Sequence, residues 1–156
     1  MNKMMSALAL AAAVTVPAIA QARPVTLTAN LKNYGGSGAY VAIYLTDAKG
    51  VYKGTLWMAG PGISFYHYLR DWSRASGGNL ADINGLTGAS IGAGQTLSIT
   101  LDLSDALINA GYQIRLDAAV RNMPPSKSEV VVSFDPAGKG KPVKGRRYIQ
   151  SFQYDM

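Results

Sequence analysis

From residue 25 to residue 154 the chain breaks into short runs of alternating apolar and polar residues, separated by clusters of Gly, Pro, Asn and Asp. Val25–Leu31 (VTLTANL) puts an apolar side chain at every second position, which predicts a half-buried strand. Ala39–Thr46 (AYVAIYLT) follows the Gly35-Gly36-Ser37-Gly38 turn, and Asp47-Ala48-Lys49-Gly50 makes a hairpin-type turn into Tyr52–Met58 (YKGTLWM). Thr96–Leu103, Tyr112–Val120, Ser128–Phe134 and Tyr148–Tyr154 are equally rich in β-forming residues. Seven such strands predict an all-β fold, an immunoglobulin-like antiparallel β-sandwich in which two sheets bury their apolar faces against each other. One segment breaks the pattern. Phe65, Tyr68, Leu69 and Trp72 fall at helical spacing within Phe65–Ala75, so a single short helix is expected there, ended by Gly77-Gly78. Leu80–Gln95 reads as a long Gly-rich loop, of a length that compact domains seldom keep without a use for it.

The first residues have a different character. Lys3, the uncharged run from Ala7 to Ile19 and the small residues Ala18, Ala20 and Ala22 have the order of a cleavable secretory signal. Residues 1–22 are therefore read as a signal peptide, cut after Ala22 or alternatively after Ala20, and residues 23–156 as one β-sandwich domain. A domain of 134 residues can bury about two-thirds of its unfolded surface without a disulfide. The chain has no cysteine, which excludes cysteine catalysis, iron–sulfur ligation and zinc fingers. After the signal no run approaches the length needed to span a bilayer as a helix. The expected location is the periplasm.

Charge adds one feature. After residue 22 there are 14 basic and 9 acidic residues, and the excess falls between Arg121 and Met156. Lys139, Lys141, Lys144, Arg146 and Arg147 alternate with Gly and Pro as an exposed basic turn, read as a solvated loop or as a docking patch for an anionic partner. Without interleaved aromatics, and in an exported chain, nucleic acid is not the expected partner.

No catalytic constellation stands out in the sequence. His67 is the sole histidine, which excludes a multi-histidine metal centre within one chain, and no nucleophile pairing with it stands out to support a Ser-His-Asp hydrolase. Asp102, Asp105 and Asp117 lack calcium-loop spacing, and Gly88, Gly92 and Gly94 lack the Gly-Lys-Ser/Thr of a phosphate loop. Trp57, Phe65, Tyr68 and Trp72 are expected in the core. Neither a catalytic nor a metal residue is assigned.

Asn84-Gly85-Leu86-Thr87-Gly88-Ala89-Ser90 resembles the Asp-x-x-Ser/Thr-Gly-Ala-Thr/Ser signature on which flavin transferases esterify FMN. The resemblance makes Ser90 the acceptor and Thr87, Gly88 and Ala89 the recognition core, with Asn84 where the signature has Asp. The same residues also suit a structural turn whose hydroxyls bond nearby backbone. A wider resemblance runs through Tyr40–Asp47, Thr55-Leu56-Trp57, Tyr68–Trp72 and Thr87–Ser90. In that order these segments resemble a family of predicted periplasmic proteins, domain of unknown function 2271. The resemblance implies work beside PepSY-type membrane proteins and flavin transferases, in extracytosolic electron transfer or iron-linked redox chemistry. Two functions are expected from it: an accessory binding module of such a membrane system, or an electron carrier with FMN esterified to Ser90.

Overall fold

The computed structural model describes residues 21–156. Except for Gln21 and Ala22, the expected signal peptide lies outside the described residues. Nine strands form two facing sheets. They are β1 (Ala22–Leu31), β2 (Ala39–Thr46), β3 (Tyr52–Ala59), β4 (Thr87–Gly88), β5 (Thr96–Ser104), β6 (Gln113–Val120), β7 (Ser126–Ser133), β8 (Val143–Lys144) and β9 (Ile149–Asp155). One sheet has the order β5-β1-β9-β8 and the other β4-β3-β2-β6-β7. All pairs are antiparallel except β3 with β4. The expected all-β sandwich is therefore present. The seven expected strands are joined by two more, β4 and β8, of two residues each, too short to carry a periodic signal.

The alternation in β1 maps onto the core: Val25, Leu27, Ala29 and Leu31 face the other sheet, among Ile43, Leu116, Val130, Ile149 and Phe152. By contrast β2 is buried along its whole length, which explains its nearly unbroken apolar sequence. Val41, Ile43 and Leu45 enter the core between the sheets, while Tyr40, Ala42 and Tyr44 lie beneath a helical layer on the outer face. That layer buries Tyr66, Leu69, Trp72 and Ile83 against the sheet.

The layer corrects two expectations. The predicted helix is two pieces, a 3₁₀ helix over Ile63–Tyr68 and the α-helix α1 over Arg70–Ser76, separated at Leu69 (φ −82°, ψ 79°). Leu69 is the N-cap residue of α1 and has no polar atom to offer the first turn. The carboxylate of Asp117 on β6 supplies the acceptor instead, taking the Trp72 N–H at 2.7 Å. The tertiary contact thus starts α1 where local sequence offers no cap. Leu80–Gln95, expected as a loop, contains a 3₁₀ turn (Leu80–Ile83), then β4, then an antiparallel bridge between Ile91 and Ala39.

Candidate functional site

One end of the sandwich gathers most of the residues of interest. There Ala39, at the start of β2, lies between Val120, at the end of β6, and Ile91. In the facing sheet Leu31 is paired with Ile149 at the same end, and the Lys32 N–H reaches the Tyr148 carbonyl at 2.8 Å. Ser90, the Arg121–Lys127 connection and Arg146-Arg147 are therefore brought together from segments far apart in sequence.

The Thr87–Ser90 segment is built into the sheet edge. Met58 and Gly60 donate N–H groups to the carbonyls of Leu86 and Gly88, both at 2.8 Å, and Ile91 exchanges two backbone bonds with Ala39. Gly88 packs on the indole of Trp57, and a Cβ placed there would lie 2.7 Å from Trp57 Cζ2. Trp57 Nε1 is buried without a hydrogen-bond partner. Thr87 and Ala89 are exposed and Ser90 is half-buried, its hydroxyl against Gly38, where an added Cβ would lie 2.6 Å from Oγ. The Ser90 hydroxyl is thus held at a fixed edge, packed toward Gly38. The absence of a side chain at Gly88 is accounted for by Trp57 alone.

The basic residues do not form a single turn. Lys144, in β8, pairs with Ser151, and the Gly140 N–H bonds the Tyr154 carbonyl, so Lys139 and Lys141 lie toward the far end of β9 from Arg146 and Arg147. Arg146 and Arg147 are exposed on a turn held by a buried carboxylate that the sequence reading passed over. Glu129, 2% exposed, accepts the backbone N–H groups of Arg146 (2.6 Å), Arg147 (2.8 Å), Tyr148 (2.8 Å) and Ile149 (3.3 Å). Both its oxygens are occupied by backbone, leaving the two guanidinium groups outside that network.

Glu129 reaches this position through a bulge. Leu116 pairs with Val130 and Ala118 with Ser126, so Lys127, Ser128 and Glu129 together span the step that Asp117 spans alone. Ser128 sits at φ +52°, which costs a non-glycine residue roughly 1–2 kcal/mol. Two carboxylates hold it there: Asp117 Oδ1 accepts its N–H at 3.0 Å, and its hydroxyl donates to Asp71 Oδ2 at 2.5 Å. Burial raises the Asp117 pKa above the usual aspartate value, against the lowering effect of the Ser128 and Trp72 N–H groups. Burial also raises that of Tyr44, followed by the nearby Asp117 and Asp71 carboxylates, so its hydroxyl remains a donor toward Asp117 at 3.4 Å.

Two clefts adjoin at Pro125, which lines both. The basic one, of about 450 Å³, is walled by Ser126, Lys127, Arg146 and Arg147. The aromatic one, of about 500 Å³, is walled by Phe65, His67, Tyr68, Arg121, Met123 and Pro124, among others. His67 and Tyr68 are exposed, with ring centroids 4.0 Å apart, and the Arg121 guanidinium lies 5.3 Å from the Phe65 centroid. Of the four aromatics expected in the core, Trp72 is fully buried and Trp57 and Phe65 partly so, whereas Tyr68 stands at the surface. Tyr68 meets Phe65 within its own 3₁₀ helix, but the opposite wall, Arg121, Met123 and Pro124, comes from the connection after β6, and helical spacing alone carries no sign of it.

Among the described residues no group of three or more His, Cys, Asp or Glu could hold a metal ion, and no helix is long and apolar enough to cross a membrane. The fold and this loop-built end define a β-sandwich whose polar residues of interest stand on its rim. Residues 22–151 match the family described as predicted periplasmic protein, domain of unknown function 2271, and the chain belongs to that family. No curated protein and no solved structure matches it.

Proposed function

We propose that this protein is an exported accessory module of a PepSY-type membrane redox or iron-uptake system, docking through its basic face. The observation that carries this reading is Glu129, which fixes the Arg146–Ile149 backbone through four N–H bonds and so presents two guanidinium groups on a rigid turn. Pre-ordering of this kind lowers the cost of association, and clustered positive charge speeds the encounter with an anionic partner. Lys144 extends the charge along β8, and Lys139 and Lys141 add a second basic position toward the far end of β9. Export rests on the expected N-terminal signal, cut after Ala22 or after Ala20, and agrees with the family description. The test is a chromosomal deletion complemented by wild type or by Arg146→Glu/Arg147→Glu. Loss of growth on limiting iron or of extracytosolic flavin reduction, rescued only by wild type, supports the role; a deletion with neither defect overturns it.

The half-exposed Ser90 on its pinned edge supports a second reading, an FMN-bearing electron carrier. Bound there, the flavin would supply one- and two-electron transfer while Ser90 holds its phosphate. Co-expression with a flavin transferase gives the expected FMN mass increment and visible absorbance, both lost in Ser90→Ala. A colourless protein of unmodified mass, or a flavin retained in Ser90→Ala, removes this reading.

A further inference from the structure

We infer that the paired clefts at Pro125 form a reversible binding site for an aromatic mononucleotide, a planar heteroaromatic ring joined to a terminal phosphate. The two halves offer complementary chemistry. In one, Tyr68 stands at the surface with its ring against Phe65 (centroids 4.7 Å apart) and His67 (4.0 Å), an aromatic cluster whose outer edge lines the cleft. In the other, Arg146, Arg147 and Lys127 meet around one cleft, and the donors of a guanidinium match phosphate oxygens two at a time. The nearby carboxylate, Glu129, commits its oxygens to backbone N–H groups, so it does not occupy the guanidinium donors of Arg146 and Arg147, of which one reaches the Lys127 carbonyl at 3.4 Å.

The wall common to both halves is built at a cost. The β6–β7 connection, residues 121–125, carries Asn122 at φ +65° near its start, and Ser128 at φ +52° lies just beyond it in β7, two non-glycine residues in the left-handed region. Backbone strain of this kind concentrates where a ligand site must be held in shape. Here Asp117 and Asp71 hold one end, and the Tyr148 hydroxyl, bonded to the Pro124 carbonyl, holds the middle. The ring half selects for a planar aromatic and the cationic half for a dianion, so a ligand lacking either part loses half of the site.

This site shares Arg146 and Arg147 with the docking face and is independent of Ser90, so it is tested on the isolated exported chain, purified without any transferase or membrane partner. FMN serves as probe, with riboflavin and inorganic phosphate as its two parts, followed by flavin fluorescence at low salt, phosphate being read by its displacement of bound FMN. The expected result is saturable quenching by FMN, with riboflavin and phosphate each binding at least tenfold more weakly. Arg146→Ala/Arg147→Ala should weaken FMN at least tenfold and leave riboflavin unchanged, while Tyr68→Ala should weaken both. These residues are exposed, so each variant should keep the wild-type melting temperature, and Arg146→Lys/Arg147→Lys should restore part of the FMN affinity. Absence of FMN binding, riboflavin bound as tightly as FMN, or FMN affinity unmoved by the arginine pair would overturn the site. None of those outcomes bears on the deletion phenotype that tests docking.

Discussion

Glu129 Oε1 accepts the backbone N–H of Arg146 at 2.6 Å, so an acidic residue orders the turn that carries the basic ones without pairing with their side chains. The turn is thereby ordered without using the guanidinium N–H donors.

Glu129→Gln follows directly. An amide has one acceptor oxygen in place of two, and its NH₂ would face N–H donors that now have no partner. With roughly 1–3 kcal/mol per unsatisfied buried donor, a loss of about 2–4 kcal/mol is expected in urea unfolding. The same variant should bind anionic probes less well than its extra positive charge predicts, because the Arg146–Arg147 turn loosens. Wild-type stability in Glu129→Gln would show that the four backbone bonds do not order the turn.

Gly88→Ala tests the floor of the Thr87–Ser90 segment. Its Cβ would lie 2.7 Å from Trp57 Cζ2 and force either the indole or β4 to move. Overpacking of this kind costs about 1–3 kcal/mol, and the tryptophan emission should shift as the Trp57 environment opens. Unchanged emission and stability would mean that the edge is loose enough to absorb a methyl group.

The hydroxyl of Thr55 accepts the indole N–H of Trp72 at 2.9 Å in the outer layer. Thr55→Val keeps the shape and removes the acceptor, so a loss of roughly 1–3 kcal/mol is expected from thermal or urea unfolding. A neutral result would place a water on that N–H.

Asp117 gives a pH dependence whose sign is set by its raised pKa. Between the unfolded and folded values the native state holds the extra proton, so this group's contribution to stability is fully present at low pH and declines as pH rises through the folded pKa. Asp117→Asn removes that slope. The melting temperature of wild type relative to Asp117→Asn should therefore be higher at pH 4 than at pH 7. The opposite order would show that the Trp72 and Ser128 N–H bonds outweigh burial.

The expected cleavage site, after Ala22 or after Ala20, can be tested at the strand start. The Gln21 carbonyl accepts the Asp105 N–H at 2.8 Å, and Ala22 pairs with Ser104, so a cut after Ala20 keeps contacts that a cut after Ala22 removes. The intact mass of the exported protein should correspond to a chain starting at Gln21; a start at Arg23 would show that β1 does without its first pair.

The core was legible in the sequence wherever period and burial coincide. The alternation of Val25, Leu27, Ala29 and Leu31 marks one buried face, and the nearly unbroken run of β2 marks two. Family membership could likewise be read from ordered segments of the chain, since the match covers residues 22–151. The break at Leu69 could not, because the acceptor that starts α1 belongs to Asp117, 45 residues from the Trp72 N–H it binds. Nor could the pairing of Thr87-Gly88 with Met58-Ala59, since two residues have no periodicity.

The candidate site divides in the same way. Residue types fixed what chemistry was available: one histidine, no cysteine, a hydroxyl at Ser90 and a surplus of Lys and Arg after residue 120. Which of those groups meet was a matter of strand order and of one bulge. Pairing of Leu31 with Ile149 and Ala39 with Val120 brings Arg146 and Arg147 to the end that holds Ser90 and Tyr68, while the bonding of Gly140 to Tyr154 keeps Lys139 and Lys141 away. Local patterns are set by neighbours within a turn or a strand and so appear in the sequence. Long-range pairing is chosen by burial of the whole core, and only the folded chain expresses it.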